Sequence, residues 1–339
     1  MMLPHRLHGH FFDLIRSGLW SGNTTMIYDN ISSDDWIAIY RESVAQTVSG
    51  LVFEGIAKCP YDSLPGNELL AKWSARTVRI ANNNDKANAT ISAIVASLNS
   101  VGITPVLLKG QATALMYPDS SLRECGDIDF DFLDDKDFTT ARSIVGKGYM
   151  LRSKNDGSFV CNRNGVIVEL HGKMFDMVNP VQKRYLSSAI SDFGFRHIDW
   201  ADDPSVTILK PAPILNMLMQ NLHILRHALS FGIGLRQLCD YAVCYRNLTD
   251  YEISELTMML DKMWLRKWNR MLMSFLNTYL NGNSRLSAPN ALYKIVMETG
   301  NFGFAAESRS WRRIASNNAR LFPTVPCQSL TALLCLLTR

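Results

Sequence analysis

Over the first hundred residues, apolar positions return at helical spacing. The stretch 34–58, DDWIAIYRESVAQTVSGLVFEGIAK, predicts a helical segment opened by a cap at Ser33 or Asp34. A longer pattern runs from about Asn67 to Asn99. Its inward stripe is Trp73, Thr77, Ile80, Asn84, Ala87, Ile91, Ile94 and Leu98, spaced alternately by four and three. Asn84 interrupts an otherwise apolar stripe, and a buried hydrogen-bonding role is the safer of its two readings, the other being a residue that faces an active site.

The texture changes at Gly102. ITPVLLKG predicts a buried strand, QATALMY a short helix, and PDSSLRECG a loop. DIDFDFL alternates with period two and predicts a strand. DDKDFTTARSIVGKGY predicts a helix closed by Gly146 or Gly148. SFVCNRNGVIVELHG carries Asn164-Gly165 between two apolar runs, the signal of a type I′ hairpin. From about Pro180 the pattern is mainly helical again, with a short strand SVTIL near 205–209. Pro211 and Pro213 introduce ILNMLMQNLHILRHAL, FGIG breaks it, and LRQLCDYAVCYR resumes. Further helices are expected over 250–281, 288–298, 308–320 and 328–338. The expected fold class is α+β, a small mixed sheet embedded between helical regions: 1–100 helical, 101–210 an α/β core, and 211–339 a helical domain.

The strand DIDFDFL raises a chemical question. Alternate side chains share a face, so Asp127, Asp129 and Asp131 point one way and Ile128, Phe130 and Phe132 the other. Three carboxylates on one face need a counter-charge. Hard dications such as Mg²⁺ take oxygen ligands from carboxylates and substrate phosphates; a solvated acidic edge strand is the bland alternative. Glu169, in VIVEL on the return strand of the hairpin, can project to the same side. Two acids on one strand and a third on a neighbour make a two-metal arrangement suited to phosphoryl displacement. Upstream, Lys109-Gly110 ends a strand and opens a helix, where backbone N–H groups and the lysine can meet phosphate.

The run LLKGQATALMYPDSSLRECGDIDF resembles the signature of an uncharacterised nucleotidyltransferase family within the polymerase-β-like nucleotidyltransferase superfamily. FFDLIRSGLW, VELHG and LHILRHALSFGIGLRQLCDYA resemble further blocks of that family, so the resemblance covers about residues 10–245 and is strongest over 105–132. It implies an α+β fold with a nucleotidyltransferase core, and Asp127 and Asp129 as the metal-binding pair. It also implies Glu169 as the third carboxylate, which helps activate an incoming hydroxyl, and Gly110 as the turn glycine. The implied reaction moves an NMP from an NTP, such as ATP, to a hydroxyl with Mg²⁺ or Mn²⁺ and releases pyrophosphate. Two departures stand out. Gln111 replaces the usual small Ser or Gly, with Lys109 available to compensate, and Asp131 takes a usually apolar position, where a solvent-facing acid is expected rather than an added ligand.

LHILRHALSFGIGLRQLCDY adds His223, His227, Arg236 and Asp240. His223 and His227 share a helix face, but Ile224 stands where a zinc protease needs Glu. Arg236 and Asp240, four apart, are expected to pair. Given the resemblance, His223, His227, Arg236 and the loop residue Arg123 are candidate contacts to the nucleotide, against a polar network that only docks helices. His171, two after Glu169, fits a place beside the metals and a hydrogen-bonded structural role equally. His5, His8 and His10 are expected on an exposed terminus.

Composition narrows the rest. The chain has 339 residues, a net charge of +4 and 47% hydrophobic residues. The weak charge and the lack of an interleaved aromatic and basic stripe disfavour long nucleic acid. Seven cysteines without CxxC spacing read as reduced thiols of a cytoplasmic protein. Neither a signal peptide nor a membrane span is expected, and the apolar end SLTALLCLLTR reads as a packed or partner-facing helix. The favoured acceptor is a small molecule or sugar, with a protein side chain or an RNA end open. A non-catalytic nucleotide-binding module on the same fold is the alternative function. An Asp-x-Asp glycosyltransferase is a third, disfavoured because the N-terminal region predicts helices rather than a parallel sheet.

Overall fold

A computed structural model describes residues 3–20, 31–174, 179–200, 206–281, 290–300 and 311–337. Four helices come first: α1 (His8–Leu19), α2 (Ser33–Ala45), α3 (Ser49–Ile56) and α4 (Asn67–Asn99). The cap of α2 is Ser32, adjacent to the expected Ser33, and Ser32 and Asp35 form a reciprocal capping box. The α4 stripe is as the spacing predicts: Trp73, Ile80, Asn84, Ala87, Ile91, Ile94 and Leu98 are all buried, with Thr77 half-buried.

The α/β segment follows: β1 (Val106–Leu108), α5 (Gly110–Ala114), β2 (Ile128–Asp131), α6 (Asp135–Val145), β3 (Arg152–Ser153), β4 (Phe159–Arg163), β5 (Val166–His171), α7 (Pro180–Phe193), β6 (Phe195–Asp199) and β7 (Thr207–Pro211). The strands form one mixed seven-stranded sheet in the order β3-β4-β5-β2-β1-β7-β6. β2 with β5 and β1 with β7 are parallel, and the other neighbours are antiparallel. The β4–β5 turn has Asn164 at φ 55° and Gly165 at φ 90°, the two positive angles of the predicted turn. β6 is an edge strand that the sequence pattern did not announce. It starts directly after Gly194, the φ 65° residue that ends α7, and its FRHID sequence carries the charges expected on an edge.

Helices complete the chain: α8 (Pro213–Leu229), α9 (Leu235–Arg246), α10 (Asp250–Lys262), α11 (Arg266–Phe275), α12 (Ala291–Thr299), α13 (Trp311–Leu321) and α14 (Pro326–Leu337). Among the described residues, no helix is long and apolar enough to cross a membrane.

The chain divides into two units, and it passes between them within α4, after α5, just before β2 and within α8. The sheet unit takes residues 81–116 and 125–219. In it, Leu107, Ile128, Phe130, Val168, Leu170 and Ile208 of the strands pack with Ile91, Ile94, Val95 and Leu98 of α4 and with Ala141 and Val145 of α6. The last turns of α4 thus belong to the sheet's core, although the sequence texture changes only at Gly102.

The helical unit takes residues 1–80, 117–124 and 220–339. Within it α1 and α3 cross with no room for side chains at two points. A Cβ on Gly18 would overlap the Leu51 carbonyl, and one on Gly55 the Leu14 carbonyl. Of the N-terminal histidines, His5 is exposed as expected, but His8 and His10 are half-buried on the first helical turns. His8 is half-buried, with one ring nitrogen at the Tyr293 hydroxyl and the other 2.9 Å from the Leu3 carbonyl, because the helix behind it buries Phe11, Phe12, Leu14 and Ile15.

Candidate active site

The acidic face is assembled by strand register. Asp129 of β2 lies opposite Glu169 of parallel β5, Asp131 lies opposite His171, and Leu108, the last residue of β1, lies opposite Asp129. Ile128, Phe130, Val168 and Leu170 occupy the other face, in the core. Alternation therefore puts Asp129, Asp131, Glu169 and His171 together on the face away from that core. Asp129, Asp131 and Glu169 are only 5%, 4% and 6% exposed, so the expectation of a solvent-facing Asp131 is corrected. Alternation tells which face Asp131 takes, but not that this face too is covered.

Lys109 follows β1 directly. Its φ of 47° is unusual for a residue with a side chain, and its Nζ lies 3.5 Å from Asp129 Oδ2. Gly110 also has positive φ, 43°, and a Cβ there would come within 3.3 Å of the Asp127 carbonyl oxygen. This turn thus lies directly against the backbone that carries the first aspartate. Asp127, one residue before β2, remains open to solvent. On β5, Glu169 forms an ion pair with Lys154 and accepts a 3.0 Å hydrogen bond from Ser158 Oγ. His171 Nε2 lies 2.8 Å from Asp129 Oδ1 and 3.6 Å from Glu169 Oε1.

The electrostatics follow from this crowding. The negative charge of Asp129 raises the Asp127 carboxyl above the ordinary range, and its surroundings add to the rise. Burial works to raise Asp129, but the Lys109 charge and the His171 hydrogen bond outweigh it and hold the group at about 2. Asp131 has no such help. Burial pushes it up to about 7, against a weaker downward pull from His171 and a backbone hydrogen bond. Burial lowers His171, yet the hydrogen bond and charge of Asp129 raise it overall.

This donor set fits a divalent cation. Among the described residues, Asp129, Glu169 and His171 each offer a ligand atom, all within 4.8 Å of one another. The mutual repulsion that raises Asp127 is what a cation between Asp127 and Asp129 would relieve. Gln111 does not open the turn as a small residue would. It is buried, and its Nε2 donates to Asn88 Oδ1 at 2.7 Å.

Of the predicted site residues, Lys109, Gly110, Asp127, Asp129 and Glu169 lie together in the sheet unit, while Arg123, His223, His227 and Arg236 lie in the helical unit. Arg123 is buried there and donates to both oxygens of Asp240, from Nε at 2.7 Å and Nη2 at 2.8 Å. Tyr117 donates to the same carboxylate at 2.7 Å. The expected Arg236–Asp240 pair is therefore replaced. The planar fork of Arg123 occupies Asp240, and Arg236 Nη1 donates to the Glu124 carbonyl at 3.0 Å. His223 and His227 meet edge to face, with ring centroids 4.2 Å apart. Sequence reasoning missed Lys154 and Ser158. Both belong to the polar segment KNDGS between β3 and β4, where no periodicity marks a residue as facing the acids.

A comparison with curated proteins finds no match. A solved structure described as an antigenic nucleotidyltransferase-like protein from Paracoccidioides brasiliensis is similar at 16% identity. That likeness covers 58% of this chain and 93% of the other, with a TM-score of 0.35. The model of a protein family described as "Uncharacterised nucleotidyltransferase" matches residues 32–281. This stretch is most of the chain and encloses both the acidic strand pair and the Lys109-Gly110 turn, and the chain belongs to that uncharacterised nucleotidyltransferase family.

Proposed function

We propose that this protein is a metal-dependent nucleotidyltransferase that moves a nucleoside monophosphate from a nucleoside triphosphate to a hydroxyl acceptor. The observation that carries this reading is the buried, in-register pair Asp129 and Glu169, flanked by Lys109 at the end of the adjoining strand. Burying two carboxylates side by side is costly unless positive charge accompanies them. Lys109 and Lys154 supply part of that charge, and a cation on the same face would supply the rest.

Asp127, Asp129 and Glu169 are the residues assigned to hold Mg²⁺ or Mn²⁺, and the bound ion supplies charge neutralisation and orientation to the triphosphate. The acceptor oxygen forms a bond to the α-phosphorus, the bond from that phosphorus to the β-phosphate bridge breaks, and pyrophosphate leaves. Glu169 or Asp129 takes the acceptor's proton. Lys109 offers its ammonium group to a phosphate oxygen, and Gly110 lets the backbone come close. We assign Arg123 to holding the loop ahead of Asp127, since Asp240 engages its guanidinium on two bonds. His223, His227 and Arg236 stay as proposed nucleotide contacts, on the family resemblance. A small molecule or sugar is the favoured acceptor, and a cytoplasmic location is proposed with it.

The test incubates the purified chain with each α-³²P-labelled NTP, Mg²⁺ or Mn²⁺, and cell extract, beside Asp129→Asn. Label is expected to reach an acceptor with the parent protein and to fall by at least about 100-fold in the variant. Metal-dependent nucleotide binding with no transfer would favour the non-catalytic module. Absence of both would overturn the reading.

A further inference from the structure

One member of the acidic face is not an oxygen donor. His171 stands two residues after Glu169 on β5 and opposite Asp131 on β2, and its Nε2 falls among the carboxylate oxygens of Asp129 and Glu169. Mg²⁺ takes oxygen ligands and keeps much of its water. Imidazole nitrogen instead suits first-row transition ions, whose affinities also exceed that of Mg²⁺ at mixed nitrogen and oxygen sites.

A second observation points the same way. Asp131 is 4% exposed, shares this face, and has an Oδ1 atom with no hydrogen-bond partner. An unpaired buried carboxylate oxygen is expensive to keep. It is accounted for if a cation, or the ring N–H of a histidine turned to bind one, completes the site. Lys109 and Lys154 already serve Asp129 and Glu169, and Asp131 forms no ion pair among the described residues.

Resting on the transferase reading above, we infer that His171 is a nitrogen ligand to the cation held by Asp129 and Glu169. The site therefore selects a first-row transition dication, for which Mn²⁺ is the probe, over Mg²⁺. Carboxylates alone discriminate only weakly in this direction; the nitrogen of His171 widens the preference.

The experiment measures Mn²⁺ binding to the full chain by loss of the free-ion EPR signal, with Mg²⁺ as competitor, and examines the bound ion by electron spin echo modulation. A histidine-nitrogen coupling is expected in the parent protein, a result that depends on no variant folding. His171→Ala is expected to lose the coupling and to bind Mn²⁺ about 10- to 100-fold more weakly, with Mg²⁺ affinity little changed. His171→Asp should shift the preference toward Mg²⁺. If Mn²⁺ binds, depends on Asp129, and carries no nitrogen coupling, the inference falls while the transferase reading stands. If neither ion binds in a way that Asp129→Asn abolishes, both fall together.

Discussion

Lys109 holds a backbone conformation, φ 47° and ψ −144°, that side chains avoid, at a cost of about 1–3 kcal/mol. Its placement next to Asp129 is what the strain secures, since the residue leaves β1 and must turn at once into α5. Asp35 is the opposite kind of residue, stabilised on every side. The Arg6 hydrogen bond is the largest cause that draws its carboxyl down to about 2; partial burial opposes it, and Ser32 adds to it. A folded pKa below the ordinary value of about 3.9 means the stabilisation is whole above that value and drains away as pH falls toward the folded pKa. Asp35→Asn is therefore expected to lower Tm by a few degrees near neutral pH, and by steadily less in acid below roughly pH 4. Circular dichroism melts across that range check it. A deficit that stays constant with pH would mean that Asp35 contributes shape rather than charge.

Among the elements, α1 and α3 show how small residues set helix geometry. Leu14 and Gly18 on α1 face Gly55 and Leu51 on α3, each pair four residues apart, and each glycine receives the carbonyl opposite. The exchange brings the two backbones into contact. Gly18→Ala and Gly55→Ala are each expected to destabilise the protein by about 1–3 kcal/mol, as overpacking does, despite alanine's better helix propensity. Gly9, on an open part of α1 with nothing near its missing side chain, is the control: with all three variants read by urea titration, Gly9→Ala should be neutral or stabilising. The sheet obeys a different logic. Register rather than close approach makes the site, and a one-residue slip of β5 would send Glu169 and His171 into the core.

At the scale of the whole molecule, the helical unit is closed by contacts between distant parts of the chain. Gln46, fully buried, donates to Glu42 and to the Val296 carbonyl at 3.0 Å, and its Oε1 accepts from the Leu235 backbone N–H at 3.0 Å. Trp20 Nε1 donates to the Leu280 carbonyl and Arg16 to that of Tyr279. The family match begins at residue 32 and ends at 281, so α1, α12, α13 and α14 belong to this unit from outside the matched stretch. Gln46→Ala leaves the buried Leu235 N–H unpaired, while the Val296 carbonyl keeps the Gly300 N–H at 3.1 Å, and is expected to cost about 1–3 kcal/mol, read from urea unfolding. Gln46→Glu keeps the acceptor for Leu235 but sets a second carboxyl against Glu42, so it should be at least as destabilising at neutral pH and recover part of the loss in acid, where the pair can share a proton. A deficit that does not ease in acid would show that the lost donor bonds dominate.

Much of this protein follows from local pattern. The alternation of Ile128, Phe130 and Phe132 with the aspartates predicts a strand with one acidic face, the four-and-three spacing from Trp73 to Leu98 predicts the buried stripe of α4, and Asn164-Gly165 predicts the hairpin that carries Glu169. Backbone geometry repeats every two or 3.6 residues, so one face of each element can be read from its own residues. What lies against that face cannot, because it comes from elsewhere in the chain. Only the folded chain buries Asp131, brings Lys154 and Ser158 to Glu169, hands Asp240 to Arg123 instead of the nearby Arg236, and adds β6 to the edge of the sheet. The amino-acid sequence by itself determined the strands and which carboxylates share one face of them; the tertiary structure decided their partners, since pairing depends on register and packing between segments far apart along the chain.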